Sequence, residues 1–214
     1  MGPAPISTAF LLTSLLAVAL LETAAVYLGT RVQLPRLGLI GATRMVQILA
    51  VMILAVVQAG GLHVLGLDRK TMLPGIRKGL AWSAGFAGAG GLVFLGLFIA
   101  GQDPLMLIRS PLPENLSQRL LFFCVGGIVA PAAEEIVFRG LIFGYLRRWG
   151  LPAAVLVSTA LFASLHLSAV PITQVVGGLV FAIAYHTGRS LMVPICIHTL
   201  GNLAIFALSL PLFQ

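Results

Sequence analysis

Three short patterns put reactive side chains at helical spacing inside otherwise apolar sequence. In LLFFCVGGIVAPAAEEIVFRGLIFGYLRRWG, the adjacent Glu134 and Glu135 are followed by Arg139; in LFASLHLS, Phe162 precedes His166; in CIHTLGNL, His198 precedes Asn202. Residues at i and i+4 share a helix face, so each pattern presents its members together. Glu135 and Arg139 stand in the favourable acid-before-base order and can form an ion pair. Glu134 is turned about 140° from Arg139 by helical periodicity, which leaves it free to face another direction. A free carboxylate, two imidazoles and a carboxamide form a set that can activate a water and hold a developing oxyanion.

The elements that carry these residues must sit in lipid. Of 214 residues, 59% are apolar and 9% charged, with a mean hydropathy of +1.06, against roughly 45–50% and about 25% in an ordinary soluble domain. Thirteen Lys and Arg and six Asp and Glu are too few to coat a water-facing surface. The net charge of +7 does not point to nucleic acid, because the cations stand in short clusters between apolar runs and read as topology signals. Cys124 and Cys196 lie inside apolar runs, which excludes a disulfide framework and a CxxC motif. The first apolar run, Ile6 to Leu28, lacks a basic leader and is too long for a signal-peptide core, so an uncleaved membrane helix is expected. Gly2 opens no myristoylation signal, because position 6 is Ile.

A bilayer core about 30 Å thick takes about 20 helical residues to cross. Seven runs fit, over 6–28, 45–65, 79–101, 120–146, 152–170, 171–186 and 190–212. The expected fold is an all-α polytopic membrane helix bundle of about seven transmembrane helices. The sixth run is short and interrupted by glycine, and Pro171 separates it from the fifth, so a broken or re-entrant element would move the count between six and eight. The expected organisation is a single membrane domain: N-terminal helices and a polar linker over 1–119, a catalytic core over 120–205, and the end of the last helix over 206–214. Pro131, three residues before Glu134, is expected to break the fourth helix and let the Glu134–Glu135 pair open a new segment near a wet cavity. Arg69, Lys70, Arg77, Lys78, Arg147, Arg148 and Arg189 fall on one side, and Arg31, Arg36, Arg44, Arg109 and Arg119 on the other. The larger group marks the first side, with the N-terminus, as cytoplasmic. Measured from that side at about 1.5 Å per residue, Glu134 lies about 18 Å deep, His166 about 21 Å, and His198 and Asn202 about 12–18 Å, so the four can meet near mid-bilayer.

Ionisable residues cost about 2.5–3.5 kcal/mol each at the centre of a span and mark function by default. The three patterns, EExxxR, FxxxH and HxxxN in this order on successive apolar segments, resemble those of the CPBP intramembrane proteases, the Abi family that includes CAAX prenyl endopeptidases. The resemblance covers roughly 120–205. It implies an intramembrane endopeptidase in which Glu134 acts with His166 to activate a water, while His198 and Asn202 bind the oxyanion. Glu135, Arg139 and Phe162 would support the site. It also implies a membrane-associated protein or peptide substrate, such as a prenylated tail, a leader peptide or a C-terminal sorting tail, and a bacterial or archaeal inner membrane as the location. No cofactor is expected. A Glu with two His can hold zinc, but there is no HExxH, and the carboxamide of Asn202 suits hydrogen-bond donation better than zinc ligation.

The same polar residues also fit non-catalytic roles, as an immunity or scaffold protein or as a small proton-coupled transporter. Glu22, near the end of the first run, reads as an interfacial or structural residue close to Arg31. His63 and His186 read as interfacial, and Trp82 and Trp149 as an aromatic belt.

Overall fold

The computed structural model describes residues 5–166 and 172–210. The described residues form seven helices and no strand. These are α1 (Thr8–Arg31), α2 (Arg36–Ala59), α3 (Arg69–Ile99), α4 (Leu116–Trp149), α5 (Leu151–Ser164), α6 (Ile172–Gly188) and α7 (Met192–Leu208). Short 3₁₀ turns occupy the α2–α3 and α3–α4 connections. The segments Thr8–Arg31, Arg36–Ala59, Leu62–Ile99 and Leu116–Trp149 are long and apolar enough to cross a membrane, whereas α5, α6 and α7 have 14, 17 and 17 residues. Large apolar side chains such as Leu92 (73% exposed) and Ile99 (76%) cover the outer surface, which suits lipid and no aqueous solvent. The molecule is an all-α membrane helix bundle.

The helices alternate in direction. Arg148 donates to Ile6 O, the Tyr185 hydroxyl to Leu65 O and Leu191 N to Gly66 O. These bonds gather the start of α1, the α2–α3 connection, the end of α4 and the α6–α7 turn at one end of the bundle. At the other end Ser110 N donates to Ser209 Oγ, joining the linker before α4 to the end of α7. One apolar cluster, around Phe10, Val51, Leu65, Leu141, Phe143 and Tyr185, ties α1 and α2 to α4 and α6. A second, of Phe138, Phe162, Phe181, Val193 and Ile197, joins α4, α5, α6 and α7. Helices in lipid gain no hydrophobic drive from meeting each other, so close packing must hold them. At Gly79 of α3, a Cβ would stand 2.6 Å from Cys196 Cβ on α7. Only glycine permits that approach.

Several boundaries differ from the sequence expectation, each for an identifiable reason. The second helix begins at Arg36 and not near 45, because Arg44 is neutralised inside the helix pair by Glu22 at 2.6 Å. Glu22 therefore pairs with Arg44 and not with Arg31, whose guanidinium lies 5.3 Å from the Tyr27 ring. The third helix begins at Arg69, where Asp68 caps the Lys70 N–H at 2.9 Å, and Pro74 is tolerated near its start. Pro131 does not break α4. The helix continues from Leu116 to Trp149 by widening into π-helical stretches at Val125–Val129 and Ile136–Phe143. The glycine-interrupted sixth run is a continuous helix of 17 residues. Its glycines serve packing: a Cβ at Gly178 would stand 2.8 Å from Thr159 on α5. Pro171, Gly2 and the last residues of the fifth and seventh runs lie outside the described residues.

Candidate active site

The centre of the site is an ion pair sealed inside the protein. Glu135 and Arg139 are both fully buried, with Arg139 Nη1 donating to Glu135 Oε1 at 3.0 Å. Arg139 Nη2 donates to the backbone oxygen of Gly178 at 3.2 Å, which fastens α4 to α6. Three aromatic rings surround the guanidinium, with centroids 4.7 Å (Phe162), 5.1 Å (Phe181) and 5.9 Å (Phe138) from its central carbon. Their π faces offset part of the cost of removing that charge from water.

His198 enters this arrangement from α7. Its Nδ1 lies 2.8 Å from Glu135 Oε1, the oxygen that Arg139 already contacts. A carboxylate held by a guanidinium accepts and does not donate, so Nδ1 carries the proton and Nε2 is the open nitrogen. Phe181 stacks on the imidazole at 4.6 Å with an interplanar angle of 20°, and Phe162 meets it edge-on at 5.8 Å. With both contacts holding the ring, Nε2 faces Glu134 Oε2 at 3.8 Å. The Glu134 side chain remains 24% exposed while Glu135 has no exposure. The two adjacent glutamates thus divide as their helical phase predicts. Glu135 Oε2 and Arg139 Nε have no hydrogen-bond partner among the described residues.

His166 and Asn202 stand at the edges of this centre. His166, just beyond the end of α5, directs Nδ1 to Phe162 O at 2.8 Å, and its ring lies 4.8 Å from the Phe162 ring. A carbonyl only accepts, so Nδ1 again carries the proton and Nε2 has the lone pair. Phe162 therefore separates and orients both histidines. Asn202, one turn beyond His198 on α7, donates through Nδ2 to Gly126 O on α4 at 2.9 Å. The structure thus joins Glu134, Glu135, Arg139 and His198 directly, reaches His166 through Phe162, and holds Asn202 on a separate backbone anchor.

Helical spacing does not single out Phe138, Phe181, Gly178 or Gly126. Phe138 and Phe181 are ordinary apolar residues in apolar runs, and only tertiary packing turns them toward a cation. Gly178 and Gly126 act through carbonyl oxygens, which leave no side-chain signature. Zinc would need three or four N, O or S donors converging at about 2.0–2.3 Å. Among the described residues no group of three His, Cys, Asp or Glu side chains is placed to hold a metal ion. Asn202 already donates to a carbonyl and has a single amide oxygen left to offer.

Comparison with the curated proteins and with the solved structures gives no match. Residues 116–204, which run from the first residue of α4 into the last helix and contain every residue of the three motifs, match the family described as type II CAAX prenyl endopeptidase Rce1-like. The resemblance carried by the motifs and this match agree: the α4–α7 portion of the chain is similar to the type II CAAX prenyl endopeptidase Rce1-like family.

Proposed function

We propose that the protein is an intramembrane endopeptidase in which Glu134 is the general base. The observation that carries this reading is the division of the two glutamates. One is buried, paired and shared with a histidine; its neighbour is partly open and faces that histidine's other nitrogen. In the reaction, Glu134 takes a proton from water as the water oxygen attacks the scissile carbonyl. His166, with its Nε2 lone pair free, is the second acceptor that aims the water. His198, having taken a proton from solvent at Nε2 before the attack, donates that N–H to the tetrahedral oxyanion together with the remaining amide hydrogen of Asn202. The proton on Glu134 then passes to the leaving nitrogen as the C–N bond breaks.

Charge balance favours this assignment. Two carboxylates against one guanidinium leave a surplus of acceptor oxygens in a low-dielectric site, which suits the uptake of a proton there. Each nitrogen of the His198 ring faces one carboxylate. Preorganised donors of this kind are worth several kcal/mol to a developing oxyanion. No step needs a metal.

The substrate follows from the family at the level of class: a membrane-associated peptide, with a prenylated CAAX-type tail as the first candidate and leader peptides or C-terminal sorting tails next. The end of the bundle that collects Arg69, Lys70, Arg77, Lys78, Arg147, Arg148 and Arg189 is assigned to the cytoplasm, with the N-terminus beside it. The test is cleavage of a prenylated peptide by purified protein in proteoliposomes, with products sequenced. Turnover that survives a chelator and is lost in Glu134→Gln and His166→Ala supports the reading. Unchanged turnover in both variants, or activity that returns only with stoichiometric zinc, contradicts it.

A further inference from the structure

Pro131 lies in the helix that bears both glutamates, yet it does not interrupt it. In the π-helical turn before it, Val125 O accepts from Ala130 N, five residues ahead. In the same register Gly126 O would accept from the N–H of residue 131, and proline has none. Asn202 Nδ2 takes that place, 2.9 Å from Gly126 O. A carbonyl left unpaired inside a membrane-spanning helix costs stability. The acceptor that fixes Asn202 is therefore a consequence of the proline ring combined with the π register. In a regular α-helix the unpaired carbonyl would be that of Gly127, four residues before the proline.

We infer that Pro131 is a positioning residue for Asn202. By denying Gly126 O its helical donor, it recruits one amide hydrogen of Asn202, fixes which way the carboxamide points, and leaves the second hydrogen for the reacting carbonyl. Gly126 and Gly127 make room for the contact. A Cβ at Gly127 would stand 2.5 Å from Leu203 Cδ2, and one at Gly126 would stand 3.3 Å from the Phe206 ring. The catalytic consequence rests on the oxyanion role proposed above for Asn202; the structural linkage does not.

The test is a stability and turnover cycle on the full-length protein, built from Pro131→Ala, Asn202→Ala and the double variant. Asn202→Ala strands Gly126 O and lowers the thermal midpoint by at least about 2 °C, the shift expected for one unpaired, partly buried acceptor in a chain of this size. In that background Pro131→Ala restores an N–H and recovers at least half of the loss. Placed in the wild type, the same substitution frees the carboxamide and lowers kcat about tenfold with little change in KM. Recovery in the double variant supports the linkage even if Glu134→Gln retains full turnover, so a failure of the proposed activity is separable from a failure of this inference. A double variant no more stable than Asn202→Ala overturns it. If Pro131→Ala does not fold, the carbonyl ¹³C resonance of Gly126 decides: it moves on Asn202→Ala if the bond is as described, and an unmoved resonance overturns the inference.

Discussion

The protein holds two clusters of charge among its apolar helices, and they are built differently. Between α1 and α2, Glu22 Oε2 accepts from Arg44 Nη1 at 2.6 Å and from Gln47 Nε2 at 3.0 Å, while Gln47 Oε1 accepts from Arg44 Nη1 at 2.7 Å. That cluster is neutral, and its members satisfy one another. Its ion pair is only partly covered, with the side chains of Arg44 and Glu22 27% and 46% exposed. Between α4 and α7 the ion pair is sealed, a second carboxylate stands beside it, and buried polar atoms remain without partners. A charge in a membrane helix therefore does not by itself mark chemistry. A closed triad joins helices, whereas a cluster with surplus valence and an open carboxylate has capacity left for a substrate and a proton.

This contrast can be broken or sharpened by substitution, and the largest effect is expected at Arg139. Arg139→Ala leaves Glu135 as an unpaired buried charge and should cost about 3–5 kcal/mol, visible as loss of the folded protein in detergent. Replacing both partners, in Glu135→Gln with Arg139→Met, should recover much of that stability but no activity. If the single variant is as stable as wild type, the central ion pair is misassigned. Next is His198→Ala, expected to lower kcat by about 10²–10³ while the protein remains folded. A rise in KM with kcat unchanged would remove His198 from the oxyanion site.

Smaller effects are expected away from the reacting groups. Gly127→Ala would force α7 away from α4 and should cost about 1–3 kcal/mol in thermal stability; no change would mean that Leu203 simply moves aside. Arg44→Met should cost the least, about 0.6–1.7 kcal/mol, as for an interhelical hydrogen bond in a membrane protein, with kcat unchanged. A large loss of turnover in that variant would give the α1–α2 cluster a catalytic role that its geometry does not suggest.

The sequence carried the solvent, the helix count and the division between Glu134 and Glu135, because these follow from composition and from helical phase. It carried the motif residues because ionisable groups are scarce in apolar sequence and stand out there. Helix starts were less legible. Arg36 and Arg44 look like boundary charges until Glu22 is seen across the helix pair, and Pro131 looks like a break until a π turn is seen to accommodate it. The aromatic enclosure of Arg139 was hidden for a different reason. Phe138, Phe162 and Phe181 come from three helices, and nothing in the local pattern of any one of them specifies a shared cation. Gly126 was hidden because its contribution is a backbone oxygen.

The central claim is that the α4–α7 cluster performs the chemistry and the α1–α2 cluster does not. The most direct measurement is turnover of one prenylated peptide by Glu134→Gln and Glu22→Gln, each reconstituted in proteoliposomes beside the wild type. Both substitutions remove one carboxylate charge from an apolar helix and keep its shape. The account predicts a loss of at least about 100-fold for Glu134→Gln, in line with removal of a general base, and a rate close to wild type for Glu22→Gln. Equal rates in the two variants, or the larger loss at Glu22, would contradict it.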